Sequence, residues 1–380
     1  MQHLYLHVPF CQRRCSYCDF SIAVRKRIPV TEYVNAVLRE WGSADLGPAD
    51  RGGPISTLYC GGGTPSLLPP DAIATLVHAL LRSADPGPAA RGEPEVTLEA
   101  NPEDVTPDAA RTWRSAGINR VSLGAQSFDD NVLKWMHRSH DAARIGAAVH
   151  ALRGAGIENI SLDLIFALPD ELRRDWERDL DMALALRPTH LSLYGLTVEP
   201  RTPLDRWISR GATHAPDEER YAEEYLLAHR RLMADGFEFY EVSNAARDGF
   251  RSQHNSAYWS GKAYVGLGPA AHSFDGTTRR WNQRAWEAYR RAIAEGHSVV
   301  ESEEVLTQEQ REIERLYLGL RTVEGFLLAA ASPRRPPPPP LFAAQGWTVE
   351  ADGRLKCTPE GWLRLDSIVA ELTMHPETQQ

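Results

Sequence analysis

The chain has 380 residues, 42% of them hydrophobic and 24% charged, with a formal net charge of −9 at pH 7. That length accommodates one large domain and a smaller one. No apolar run approaches the roughly 20 residues that span a bilayer, and the basic residues are interspersed with acids rather than gathered in the stripe of a nucleic-acid groove. A transmembrane segment and a nucleic-acid partner are therefore not expected. The N terminus, Met1-Gln2-His3-Leu4-Tyr5, lacks a basic region followed by an apolar one, so a cytoplasmic location is expected.

In chain order, short β-branched runs recur, each followed by turn residues and a longer amphipathic stretch. They are His3 to Val8, Ile55 to Cys60, Glu95 to Glu99, Arg120 to Gly124, Asn159 to Ile165 and His190 to Tyr194. Strands alternating with helical segments give βα units and a parallel sheet. Six such units suit an incomplete (βα)6 barrel and a doubly wound sheet about equally, and the chemistry of the cysteine loop favours the barrel. In each unit the polar or glycine residues cluster just after the strand, where such folds build their sites.

Beyond residue 300 the texture becomes charged helix, starting near Thr307. The run Pro333 to Pro340, broken only by Arg334 and Arg335, is expected as an extended surface loop. A hairpin about Ala351-Asp352-Gly353 and a helix from Thr358 onward complete a small α+β domain resembling a winged helix. The expected organisation is a core barrel over 1–235, an extension over 236–300 and a small C-terminal domain over 301–380.

Chemistry concentrates after the first strand, where three of the chain's five cysteines fall in eight residues: Cys11, Cys15 and Cys18, spaced C-x3-C-x2-C. A tight loop of that length can aim three thiolates at three corners of an iron–sulfur cube, leaving the fourth iron open to a small molecule. Structural zinc wants four ligands, and neither Cys60 nor Cys357 has a Cys or His partner at ligand spacing. Gly61-Gly62-Gly63-Thr64-Pro65 follows the second strand, and its glycines let backbone approach a ligand without a Cβ in the way. Glu99 ends the third strand, where an ordinary salt bridge is an equally good reading.

The cysteine loop, with Tyr17 before its last cysteine, resembles that of the radical S-adenosylmethionine (SAM) superfamily. The Gly61 to Pro65 loop, Asn119 to Phe128 and Tyr240-Glu241-Val242-Ser243-Asn244 narrow the resemblance to the oxygen-independent coproporphyrinogen oxidase-like group. The resemblance implies a [4Fe–4S] cluster on Cys11, Cys15 and Cys18, with SAM held by Tyr5, Gly62, Gly63, Thr64, Glu99, Gln126, Arg138 and Asp163. Two functions compete within the group. Coproporphyrinogen dehydrogenases carry a fourth cysteine two residues beyond the third ligand, where this chain has Phe20. Conversely, His254-Asn255-Ser256-Ala257-Tyr258-Trp259 matches the H-N-x-x-Y-W segment of the haem-chaperone branch. That match implies haem binding by His254, Asn255, Tyr258 and Trp259, His254 offering an imidazole that can ligate haem iron and Tyr258 and Trp259 flat apolar faces. It also implies an acceptor such as a membrane-associated respiratory haem protein. Coproporphyrinogen oxidase activity is not expected. Ala167 and Ala270 stand where relatives often have glycine, so local backbone geometry is in question at both.

Overall fold

The computed structural model describes residues 2–43, 54–82, 93–330 and 338–373. All six expected strands form, as Gln2–Val8, Ile55–Gly62, Glu95–Ala100, Arg120–Gln126, Asn159–Phe166 and His190–Gly195. They lie side by side in chain order and parallel, as βα units connected through helices require. Three short strands extend this sheet to nine. Val265–Leu267 runs parallel beside the first strand, while Asn244–Ala246 pairs antiparallel with the sixth and is followed by Glu238–Glu241 at the far edge. Two of the three span only three residues, too few for periodicity to register in sequence.

Helices cover the outer face and begin where the sequence supplies caps. Thr106, Asp141, Asp175 and Asp217 each accept a backbone N–H from the first turn of the helix they precede, and Thr307 forms a reciprocal capping box with Gln310. The strands are buried yet alternate strictly, unlike the near-continuous apolar runs usual in parallel sheets. Leu4, Leu6, Leu58, Leu98, Val121, Leu123, Leu162 and Leu191 pack into the apolar core with the helices. The opposite, inner face carries cross-strand polar contacts: His3–Thr57 at 3.0 Å, Tyr59–Glu99 at 2.8 Å, Ser122–Asp163 at 2.9 Å and Ser161–His190 at 2.8 Å. Apolar outside and polar inside is the pattern of a sheet curved around a polar interior.

The end where the strands begin is closed by the helix Gln253–Trp259. Glu95, first residue of its strand, accepts the backbone N–H groups of Gln253 and His254, both at 3.0 Å, a carboxylate placed on a helix N terminus. Ser252 caps the same turn through Asn255 N–H. Nearer the chain start, the buried carboxylate of Glu40 in the helix Val30–Trp41 accepts from Gly268 N–H, Asn282 Nδ2 and the Tyr289 hydroxyl. One buried acid thus ties the first helix to the segment that follows the plug.

At the C-terminal end, Phe326–Leu327, Arg354–Cys357 and Thr348–Ala351 form an antiparallel sheet flanked by Gln308–Arg321 and Leu365–Thr373. The hairpin turns on Asp352 and Gly353, both at positive φ (54° and 70°), the combination a two-residue primed turn demands. Leu316, Leu320, Phe326, Leu355, Trp362 and Ile368 join the same continuous apolar cluster as the barrel. The proline run falls mostly outside the described residues.

Ala167 and Ala270 both adopt left-handed backbone, with φ of 56° and 59°. A non-glycine residue there is strained by about 1 kcal/mol or more. At Ala270, which is partly exposed, glycine relieves that strain at little packing loss, and Ala270→Gly is expected to raise stability by about 0.5 kcal/mol. Ala167 is 1% exposed, and losing its methyl forfeits about 0.8 kcal/mol of burial, so Ala167→Gly is expected to be near neutral. Urea unfolding of both variants checks the contrast; an equal effect at the two sites would contradict it.

Candidate cluster and cofactor site

The strands end on one rim, and there the polar inner face opens into a cavity of about 400 Å³. Its wall holds Cys11, Cys15 and Cys18 together with Gly62, Gly63, Thr64, Glu99, Gln126, Arg138 and Asp163. Five different strand ends and the cysteine loop converge on this space. Tyr5, also expected at the cofactor, stands behind the wall. Its ring stacks on Tyr59, and its hydroxyl donates to Nδ1 of His7 at 3.1 Å, while His7 Nε2 donates to the Ser21 carbonyl at 3.2 Å.

The cysteine loop is pinned from several sides. Arg25 N–H donates to the Cys11 carbonyl, Ser16 N–H to the Met136 carbonyl, and Leu204 N–H to the Ser16 carbonyl. Tyr17 packs with the apolar group that includes Val132, Met136, Ile165 and Leu196. Cys11 Sγ lies 3.4 Å from the Thr64 hydroxyl, and Arg138 Nη1 donates to Cys15 Sγ at 3.6 Å. Burial pushes the Cys11 thiol up and the Cys18 thiol up to about 11; a bound metal reverses that preference by stabilising thiolate. No three His, Cys, Asp or Glu side chains among the described residues converge on one ion position. Three thiols sharing a cavity wall suit a cube that takes one thiolate per iron.

The glycines act by close approach. A Cβ on Gly63 would meet the Phe10 carbonyl oxygen at 2.8 Å, and one on Gly62 would meet the Val8 carbonyl oxygen at 2.9 Å, with Gly62 at φ 115°. Gly62 N–H donates to Glu99 Oε2 at 3.0 Å, so the glycine turn and the acid brace each other. Burial raises Glu99 to about 7 against the Tyr59 hydrogen bond, and Asp163 is raised by burial despite donation from Ser122.

Gln126 ends its strand at a register shift with φ 67°. Left-handed backbone at a glutamine is strain of the kind that accumulates at functional sites. It is held there from behind: Asp179 accepts the Ser127 hydroxyl at 2.7 Å and Phe128 N–H at 2.8 Å, and Arg174 reaches both Asp179 and Glu224. Arg138 is aimed by Asn101 Oδ1 at 2.6 Å and the Gly124 carbonyl at 3.0 Å, and His140 bridges Glu103 and the Ala125 carbonyl. Sequence reading missed Asn101, Ser122, His140 and Asp179. Asn101 and His140 were the more findable, each lying within two residues of a predicted site residue.

The residues expected at haem lie elsewhere. His254 sits where the strands begin, 1% exposed, with Nδ1 bonded to Thr57 at 2.7 Å and Nε2 to Tyr258 at 3.1 Å. Its ring stacks on Tyr59 at 5.1 Å. Axial ligation through either nitrogen requires it to give up one of these bonds. Trp259 lies on the outer side of the same helix, beneath the Arg321 guanidinium, and lines a cleft of about 1490 Å³ between the plug helix and the C-terminal elements. Cys60 is 2% exposed and does not line the cofactor cavity; Cys357 is likewise buried. Burial raises both thiols to about 12.

A parallel barrel with a three-cysteine loop and a glycine turn on its C-terminal rim defines a radical SAM protein, and the radical SAM superfamily model matches residues 5–183. Among solved structures, coproporphyrinogen III oxidase (HemN) from Escherichia coli superposes with a TM-score of 0.78 at 21% identity, covering 98% of this chain and 90% of that one. At that identity the match establishes the fold. The chain is 37% identical to "Heme chaperone HemW" of Bacillus subtilis, over 86% of this chain and 84% of that one. It is 36% identical to the protein of that name in Mycobacterium tuberculosis, over 97% and 94%. The chain belongs to the HemW family of radical SAM proteins. Membership implies an iron–sulfur cluster and SAM. No helix among the described residues is long and apolar enough to cross a membrane.

Proposed function

We propose that this protein is a haem chaperone, which binds haem, carries a [4Fe–4S] cluster with SAM at its open iron, and passes haem to an acceptor protein. The similarity to proteins named as haem chaperones, over nearly the whole chain, carries this reading. Phe20 supports it: the position of a fourth cysteine in coproporphyrinogen dehydrogenases holds an aromatic side chain that is 61% exposed at the cavity mouth.

Cys11, Cys15 and Cys18 would hold the cluster, and the residues around the cavity would hold SAM beside it. When bound, the pair supplies an exchangeable, redox-active centre. The chain's own groups do the binding: Arg138 presents a planar fork of donors suited to a carboxylate, Glu99 and Asp163 offer acceptors to hydroxyl or ammonium groups, and the glycine turn keeps Cβ atoms clear. Haem is placed at the other end of the barrel, on the helix Gln253–Trp259, with the Trp259 cleft receiving the macrocycle. His254, bonded to Thr57 and Tyr258, sets the helix against the barrel floor, and Trp259 supplies a flat face in the cleft. The acceptor is a haem protein, and the protein works in the cytoplasm.

Anaerobically reconstituted protein titrated with haem, and then supplied with reductant and coproporphyrinogen III, tests the proposal. The expected result is a saturable Soret band and no sustained protoporphyrinogen formation. Turnover without specific haem binding would identify an oxidase instead.

A further inference from the structure

Arg120 opens the fourth barrel strand on its inner face and is 1% exposed. Neither Nε nor Nη1 has a hydrogen-bond partner among the described residues. A guanidinium removed from water without partners is among the least favourable groups a protein can bury, so nearby charge must compensate it. Tyr59, His190, Tyr240 and His254 face it from four elements, with Glu99 and Asp163 from two more. Burial holds both histidines and both tyrosines neutral. Glu95, the other inner-face acid nearby, is committed to the plug helix. The charges left to answer Arg120 are Glu99 and Asp163.

Strand register fixes the relation. Arg120 pairs with Thr97 and Asn159, and two residues further Ser122 pairs with Glu99 and Ser161 while its hydroxyl donates to Asp163. Arg120 is thus rooted one side-chain layer, roughly 7 Å of strand, beneath the two acids that line the cluster cavity. Those acids oppose one another as like charges and lose hydration by burial. Tyr5, Tyr59, Tyr194 and Cys60, which also face Glu99, are held neutral by burial and contribute no cation. Arg138, the other buried guanidinium at the site, is directed to Cys15, Asn101 and Gly124.

We propose that Arg120 is a positioning residue of the SAM site, the buried counter-charge that keeps Glu99 and Asp163 as carboxylates facing the cofactor. It touches neither cluster nor SAM. It acts by setting the charge of the two groups that receive a cationic ligand, SAM being a sulfonium. The inference rests on the SAM site proposed above.

The test is the pH dependence of SAM affinity, measured by equilibrium dialysis between pH 6 and 9 on cluster-loaded protein of verified iron content. A carboxylate that binds a cation does so only when ionised, so wild-type affinity is expected to rise with pH through about 7, the value to which Glu99 is raised. Arg120→Met is expected to move that midpoint up by about half a unit, weakening SAM roughly twofold at pH 7 with recovery at higher pH. Arg120→Lys keeps the charge and is expected to keep the midpoint. A uniform loss at every pH in Arg120→Met, with the midpoint unmoved, would show a merely structural role and overturn the proposal. Should Arg120→Met fail to fold, Arg120→Lys decides: an unmoved midpoint supports the proposal and a displaced one overturns it. Wild-type protein that binds no SAM at any pH would defeat the SAM site itself, a different failure.

Discussion

Replacing any one of Cys11, Cys15 or Cys18 by alanine is expected to abolish the cluster, reducing iron, acid-labile sulfide and the visible cluster absorption to background after anaerobic reconstitution. Two thiolates cannot hold a cube stably. Cys60 packs away from the cavity, and the groups bonded to the thiols are the Thr64 and Tyr17 hydroxyls and the Arg138 guanidinium, of which burial keeps the Tyr17 hydroxyl protonated. The variants should still fold, because the loop is fastened through backbone hydrogen bonds and the Tyr17 contact rather than through the thiols. Far-ultraviolet circular dichroism matching wild type, beside lost iron, is the expected pair of observations. Full iron and sulfide in any single variant would overturn the ligand assignment.

His254→Ala is expected to have the second largest effect, at the opposite end of the barrel. The substitution removes two side-chain hydrogen bonds and the ring stacked on Tyr59, leaving a cavity in the floor. A destabilisation of about 2–4 kcal/mol follows. Because the plug helix also carries Tyr258 and Trp259, haem affinity is expected to fall at least tenfold, while cluster absorption is retained. The Soret maximum of the residual complex should stay in place, since His254 is expected to set the helix rather than ligate iron. A shifted maximum would instead make His254 an axial ligand, and unchanged affinity would remove the whole segment from the haem site.

The pH behaviour of His254 adds a sign to this. Burial first, then the nearby His3 and Arg120 charges, lower it to about 3. A histidine depressed in the folded state binds its proton more readily when unfolded, so it contributes stability present above the unfolded value of about 6.5 and lost as pH falls from there toward about 3. His254→Ala should therefore flatten the acid side of the stability profile as well as lower it.

How much of this was legible beforehand follows from where the information lies along the chain. The six barrel strands were readable because each is a run of five or more alternating residues bounded by turn signals. The strands Asn244–Ala246 and Val265–Leu267 were not, since three residues carry no period and their pairing with the sixth and first strands is decided by the fold. Cys11, Cys15 and Cys18 were local enough to read directly. Glu99, Gln126, Arg138 and Asp163 were nominated through family resemblance, and only the sheet brings them to one cavity. Arg120 reads in sequence as an ordinary strand-end arginine; that it is buried without hydrogen-bond partners for two of its nitrogens depends on six other elements closing around it. The H-N-x-x-Y-W segment was visible as a motif, but its position at the strand-start end, remote from the cysteine rim along every strand, was not.

With that separation, a haem chaperone of this build uses the two ends of one barrel for a single transfer of haem. The most direct test is to load the cluster-reconstituted protein with one equivalent of haem and mix it with an apo b-type haem protein, following the acceptor's own Soret band. The Cys15→Ala variant, loaded identically, is the control for spontaneous haem loss. Transfer is expected to be faster from the cluster-loaded protein than from the variant. Equal rates from the two would contradict a chaperone in which the cluster takes part.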